Sequence, residues 1–137
     1  MTVPSELLEA VRTWIKKAEE DLYSTELLLA PGESSPFSNV CLHAQQCAEK
    51  YIKALLVFHS VPVPRIHDLQ ELLLRVPRKV GLEITINDVG VLTRYAIEGR
   101  YPGDWDPIGR DEAEEAVAAA KKVRKAIRAH LPKETLD

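Results

Sequence analysis

No stretch of this chain is apolar enough for long enough to cross a bilayer. Hydrophobic residues make up 45% of its 137 positions, but their runs fall far short of the roughly 18 that a spanning helix needs. The first residues, MTVPSELLEAVR, lack the basic start and apolar core of an export signal. The expected location is the cytoplasm. Cysteine is scarce: Cys41 and Cys47 are the only two. In a helix six positions hold backbones roughly 9 Å apart, beyond the disulfide limit of about 7 Å. Without CxxC spacing or a second nearby histidine they make no zinc site, so both read as buried small hydrophobes. Excess positive charge is absent too, with 18 Lys and Arg against 21 Asp and Glu. No global field exists to hold a nucleic-acid backbone, and any such contact has to be local. Repeats and low-complexity tracts are also missing, and nothing in the chain calls for a metal or a cofactor.

What is present is helical periodicity. The length suits one domain, residues 1–137, with one core. Ser5 is placed to cap a first helix in which Leu7, Leu8, Val11, Trp14, Ile15, Ala18, Leu22 and Leu28 recur at three and four. That helix runs to about Leu29, where Pro31 and Gly32 stop it. A second begins near Ser35 with Pro36 in its first position, and carries Val40, Cys41, Ala44, Ala48, Tyr51, Ile52, Leu55 and Phe58 inward. The prolines of SVPVPRI then impose an extended crossing. HDLQELLLRV reads as a short helix with Asp68 in its first turn, and GLEIT as loop, since a lone strand has no sheet to join. Asn87 is the expected cap of a further helix through Val89, Leu92, Tyr95 and Ala96, ending near Gly99. After the loop RYPGDWDPIG, a last helix starts near Arg110 or Asp111, acidic first and basic last, as the helix dipole favours. The expected fold is an all-α, up-and-down bundle of four to five helices.

Candidate chemistry sits beside the second helix's apolar stripe. His43, Gln46, Lys50 and Lys53, spaced three, four and three, form one polar ridge. It is either a solvated face, helped by Glu49 pairing with Lys53, or the wall of a groove whose donors suit phosphate or nucleotide edges. Asp21 lies at the rim of the first helix's stripe, where a carboxylate needs a partner: Lys50 or His43 across the bundle, or solvent. His67, just before Asp68, reads as part of a helix start rather than a catalytic group. Further on, Arg94, Tyr95, Arg100, Tyr101, Asp104 and Trp105 combine guanidiniums with aromatics. They serve either to hold an anion or stack a base, or to plug the end of the bundle.

The segments AEEDLYSTELLL, HAQQCAEKYIKALL, HDLQELL and RYPGD, in this order and spacing, resemble the HEPN domain. That family is named for its occurrence in higher eukaryotes and prokaryotes and for suspected nucleotide binding. The resemblance spans about Trp14 to Leu131. It implies a helical bundle, usually dimeric, often encoded beside a minimal nucleotidyltransferase in a pair like a toxin and its antitoxin. Many relatives are metal-independent ribonucleases with an Arg, four to six residues, then a His, the histidine acting as acid or base and the arginine stabilising charge at phosphorus. Arg124 and His130 have that spacing here, but about one such match is expected by chance. Lys125 also stands where the pattern has a polar residue, and the stretch from Arg94 to Arg110 contains no histidine.

The leading expectation is therefore a binding and interaction module. It would be a homodimer that partners a nucleotidyltransferase and takes a nucleotide on His43, Gln46, Lys50, Arg94, Arg100 and Tyr101. The alternatives are a ribonuclease toxin acting on RNA through Arg124 and His130, and a purely structural protein-protein scaffold.

Overall fold

The structure, a computed structural model, describes residues 2–95 and 107–137. Within them lie five α-helices joined by loops and three single-turn 3₁₀ segments, with no strand among the described residues: α1 (Ser5–Leu29), α2 (Phe37–Phe58), α3 (Leu69–Leu74), α4 (Ile86–Thr93) and α5 (Arg110–Arg128). The architecture is the all-α bundle expected from the periodicity.

Helix ends follow local chemistry, with five departures from expectation. Ser5 does not cap α1. The Pro4 carbonyl accepts from the amides of Leu7 and Leu8 instead, and Ser5 is the first helical residue. Asp68 caps α3 rather than lying in its first turn, its carboxylate accepting from the amides of Gln70 (2.9 Å) and Glu71 (3.3 Å). The cap of α4 is Thr85, not Asn87: Thr85 and Asp88 form a reciprocal capping box, which satisfies two end amides where a lone Asn would satisfy one. That helix ends at Thr93, short of the expected Gly99, whose own position lies outside the described residues. α2 starts one residue later than expected, with Pro36 as its N-cap.

Partner contacts fix the directions of the helices. Asp21 and Trp14 of α1 meet Lys50 and Lys53 of α2, while Glu19 of α1 meets Arg124 of α5 and Leu29 lines one hollow with Arg110. α1 is thus antiparallel to both. α2 is the centre of the bundle, with 13 of its 22 residues buried and contacts to every other helix. Its Ala44, Cys47, Ala48 and Ala54, like Ala18 of α1 and Ala113, Ala116 and Ala120 of α5, are fully buried. Such short side chains let packed helices approach closely. The larger Tyr51, Ile52, Leu55 and Leu56 fill the layers between. Burial of that apolar surface, at about 25 cal/mol per Å², is the main stabilising term.

Candidate functional site

α1 carries a carboxylate on each of two flanks. On the first, Asp21 is buried to 6% exposure between α1 and α2. Its Oδ1 lies 2.9 Å from His43 Nδ1, and its Oδ2 accepts from Lys50 Nζ at 2.5 Å. Of the partners weighed from sequence, both meet it. An ionised carboxylate is only an acceptor, so His43 Nδ1 carries the proton and Nε2 is left as a second, unpartnered ring position. Lys50 retains two further N–H donors. Both side chains are partly open to solvent, at 32% and 25%. Gln46, half-buried, lies between them at three and four residues.

On the second flank, Glu19 faces α5. Arg124 donates to it through Nε at 2.8 Å and Nη2 at 3.0 Å, a two-point fork, and the Tyr51 hydroxyl donates to the same carboxylate at 2.5 Å. Arg128 in turn donates to the Tyr51 oxygen at 3.2 Å and to the Leu136 carbonyl at 3.3 Å. Burial pushes the Glu19 carboxyl up, but the hydrogen bonds from Arg124 and Tyr51 outweigh it and leave it below the usual carboxylate range. Burial and the bond to Glu19 drive the Tyr51 hydroxyl well above its ordinary value. Cys47 lies under α1 within the fields of both flanks. Burial first, and then the charges of Glu19 and Asp21, push its thiol up to about 12.

The sequence ridge splits. His43, Gln46 and Lys50 stay together at Asp21, but Lys53 turns inward to 6% exposure. There it pairs with Glu49 at 3.0 Å and lies over the Trp14 ring at 5.6 Å. The Glu49–Lys53 pair is present as read, but on a buried face rather than a solvated one. Spacing alone does not tell which side of a ridge the neighbouring helix covers. Glu49 also accepts from Gln45 at 3.1 Å and faces His67 Nδ1 at 3.1 Å, so His67 fastens the incoming loop to α2 while Asp68 does the capping.

Arg94 lies elsewhere, stacked on the Tyr95 ring at 5.2 Å and ion-paired with Glu112 of α5. The Tyr95 hydroxyl donates to the same Glu112 at 2.8 Å, and burial, followed by the nearby Cys41, pushes its pKa up to about 12. Cys41 and His43 are two residues apart on α2, about 200° around the helix. The Arg94 neighbourhood and the Asp21 site therefore occupy different sides of α2. Arg100, Tyr101, Asp104 and Trp105 lie outside the described residues. Both cysteines are free and buried.

Of the alternative pair Arg124 and His130, Arg124 is engaged by Glu19, and His59, at the end of α2, has its pKa lowered by burial and then by Lys79 and His130. Sequence reading missed Glu19, Tyr51 and Arg128. Glu19 was within reach, since like Asp21 it sits beside the buried Ala18 at the edge of the apolar stripe. Among the described residues no three His, Cys, Asp or Glu side chains cluster as metal ligands, and no helix is long and apolar enough to cross a membrane.

Compared with known proteins, residues 11–130 match the model of the HEPN domain. A Methanocaldococcus jannaschii protein named "Putative toxin MJ1304" is 26% identical, the alignment covering 90% of each chain. Two solved structures are similar. TT1696 from Thermus thermophilus has a TM-score of 0.75 at 27% identity, covering 88% of this chain and 98% of that one. ST0689, described as an archaeal HEPN homologue, has a TM-score of 0.68 at 25% identity, covering 87% and 95%.

Proposed function

The chain belongs to the HEPN domain family, and from that premise we propose that it is the ligand- and partner-binding member of a toxin-like pair. In this reading it is a homodimer that engages a minimal nucleotidyltransferase and holds the phosphates of a nucleotide on His43, Gln46 and Lys50. The observation that carries the reading is the convergence of His43 and Lys50 on Asp21. The buried carboxylate fixes two partly exposed nitrogen-bearing side chains while leaving polar positions unused on each. Preorganised donors of this kind suit an anion better than an apolar ligand. In this reading Arg94, Arg100 and Tyr101 are assigned to a second contact, with the partner rather than with the same nucleotide, because Arg94 lies on another side of α2 from Asp21. The relative named as a toxin supports the pair.

Arg124 and His130 have no catalytic part in this reading. The guanidinium is held at two points by Glu19, and freeing it for a phosphate would leave that carboxylate without its main partner.

Titration of the purified chain with ATP tests the site. Lys50→Ala and His43→Ala are expected to weaken binding about tenfold each, roughly 1.4 kcal/mol. Unchanged affinity in both would move the ligand elsewhere, and absence of binding in the wild type would remove the nucleotide from the reading. Arg124→Ala and His130→Ala are expected to leave binding, and the fate of RNA incubated in chelator, as in the wild type.

A further inference from the structure

Between α3 and α4 the chain bends around a hollow. Pro77 cannot continue α3. The single turn Arg78–Val80 follows, and Gly81, at φ +66°, takes the left-handed conformation that favours glycine. The stretches before and after this turn together line a hollow of about 230 Å³, with Leu73, Val76 and Pro77 from the first, Leu82 and Ile84 from the second, and Arg78 from the turn itself. At about 30 Å³ per water, that volume equals some eight waters, room for one large apolar side chain. Cations gather here without partners. Arg75, Arg78 and Lys79 are all exposed, and none is ion-paired among the described residues. Arg78 lines the hollow, while Arg75 and Lys79 adjoin lining residues in the chain. Glu71, four residues before Arg75, forms no ion pair with it, and Glu83 is the one acid between Arg75 and Ile84. In a chain whose net charge is −3, this is uncompensated positive charge at an apolar hollow.

We propose that this hollow docks an acidic segment of a partner protein: one leucine-sized side chain of the segment enters it, and carboxylates flanking that side chain meet Arg78 and its neighbours. Charge complementarity selects the carboxylates. The hollow supplies the desolvated pocket in which an anchor side chain contributes most of its binding energy. Nucleic acid fits less well, because the lining is aliphatic among the described residues and offers no ring on which a base could stack. A bilayer surface engages a broad apolar face rather than a hollow for one side chain. The hollow lies at the start of α4 and Arg94 at its end. This surface is therefore separate from the contact assigned to Arg94 above, and it does not depend on the nucleotide reading at Asp21.

Fluorescence anisotropy of a labelled peptide, a central leucine with glutamates on both sides, titrated with the full chain tests the proposal, with circular dichroism to verify that each variant folds. Saturable binding with a Kd below about 1 mM is expected. Arg78→Glu should weaken it at least about tenfold, and Arg75→Glu or Lys79→Glu by less. Replacing the peptide's leucine by alanine should weaken binding several-fold in the wild type but not in Val76→Phe, whose larger ring fills the hollow. Absence of saturable binding, or binding indifferent to Arg78→Glu, would overturn the proposal. So would equal affinity of the wild type for the leucine and alanine peptides, since charge alone would then be acting. Tighter binding of single-stranded RNA or of phosphatidylserine vesicles, with the same dependence on Arg78 and Val76, would give the surface to another kind of partner and overturn it as well.

Discussion

On one flank of α1 a carboxylate, Asp21, meets two side chains of α2. On the other flank a carboxylate two residues earlier, Glu19, meets Arg124 of α5 and Tyr51 of α2. The ingredients are alike, but their use differs. Around Glu19 the donors interlock, with Arg124 gripping both oxygens, Tyr51 adding a third bond and Arg128 supporting Tyr51. That arrangement ties three helices together. Around Asp21 each oxygen has one partner, and the partly exposed His43 and Lys50 keep polar positions to spare. The difference teaches that a cation near an anion is not by itself a site. What matters is how much hydrogen-bonding capacity remains after the fold has been satisfied.

The sharpest consequence falls on Cys47, beneath both flanks. With its thiol pushed from 9.0 to about 12, its thiolate fraction near neutral pH is about a thousandfold lower than that of an ordinary cysteine. Iodoacetamide should label it that much more slowly in the native chain, and at ordinary rates once α1 detaches in denaturant. Fast labelling of the native protein would mean that the two flanks do not hold α1 down.

Next in size is a contrast between two substitutions. Arg124→Ala strips Glu19 of its fork and should lower stability by about 1–3 kcal/mol in urea unfolding, without altering nucleotide affinity. Lys50→Ala should differ by weakening nucleotide binding about tenfold, and it should lower stability as well, because it leaves the buried Asp21 carboxylate with His43 alone. If both substitutions shifted stability alone, the contrast between the flanks would collapse.

The smallest effect is acid sensitivity. Glu19 has a folded pKa below its unfolded value of 4.5, so it binds a proton less readily in the native chain. Its contribution to stability is present above that unfolded value and is lost as pH falls through the lower folded one. Glu19→Gln should therefore flatten the fall in melting temperature below about pH 4.5. An unchanged slope in Glu19→Gln would show that other carboxylates govern the acid limb.

Much of the fold was legible because a packed helix writes its buried face into the chain at intervals of three and four. α1, α2 and α5 lie within a residue or two of where the periodicity puts them. α4 was less legible: Thr85 with Asp88 and Asn87 were competing caps, and only the observed hydrogen bonds decide between them. The ridge on α2 was legible as His43, Gln46 and Lys50 but not at Lys53, because Trp14, which covers it, belongs to another helix. Asp21 was legible as a carboxylate in need of a partner from its place beside Ala18 and Leu22. Glu19 had the same signal, yet its fork to Arg124 joins residues 105 positions apart, and no local pattern encodes such a pairing.

By itself, then, the sequence determined the helices, their buried faces, the reduced state of two cysteines too far apart to join, and the HEPN pattern. These depend on local spacing, which the regular geometry of the α-helix converts directly into faces. Tertiary structure alone decided which polar groups were consumed and which were left over. That depends on how the helices pack against one another: α1 lies antiparallel to both α2 and α5, so that two carboxylates two residues apart are turned to opposite flanks and meet different neighbours.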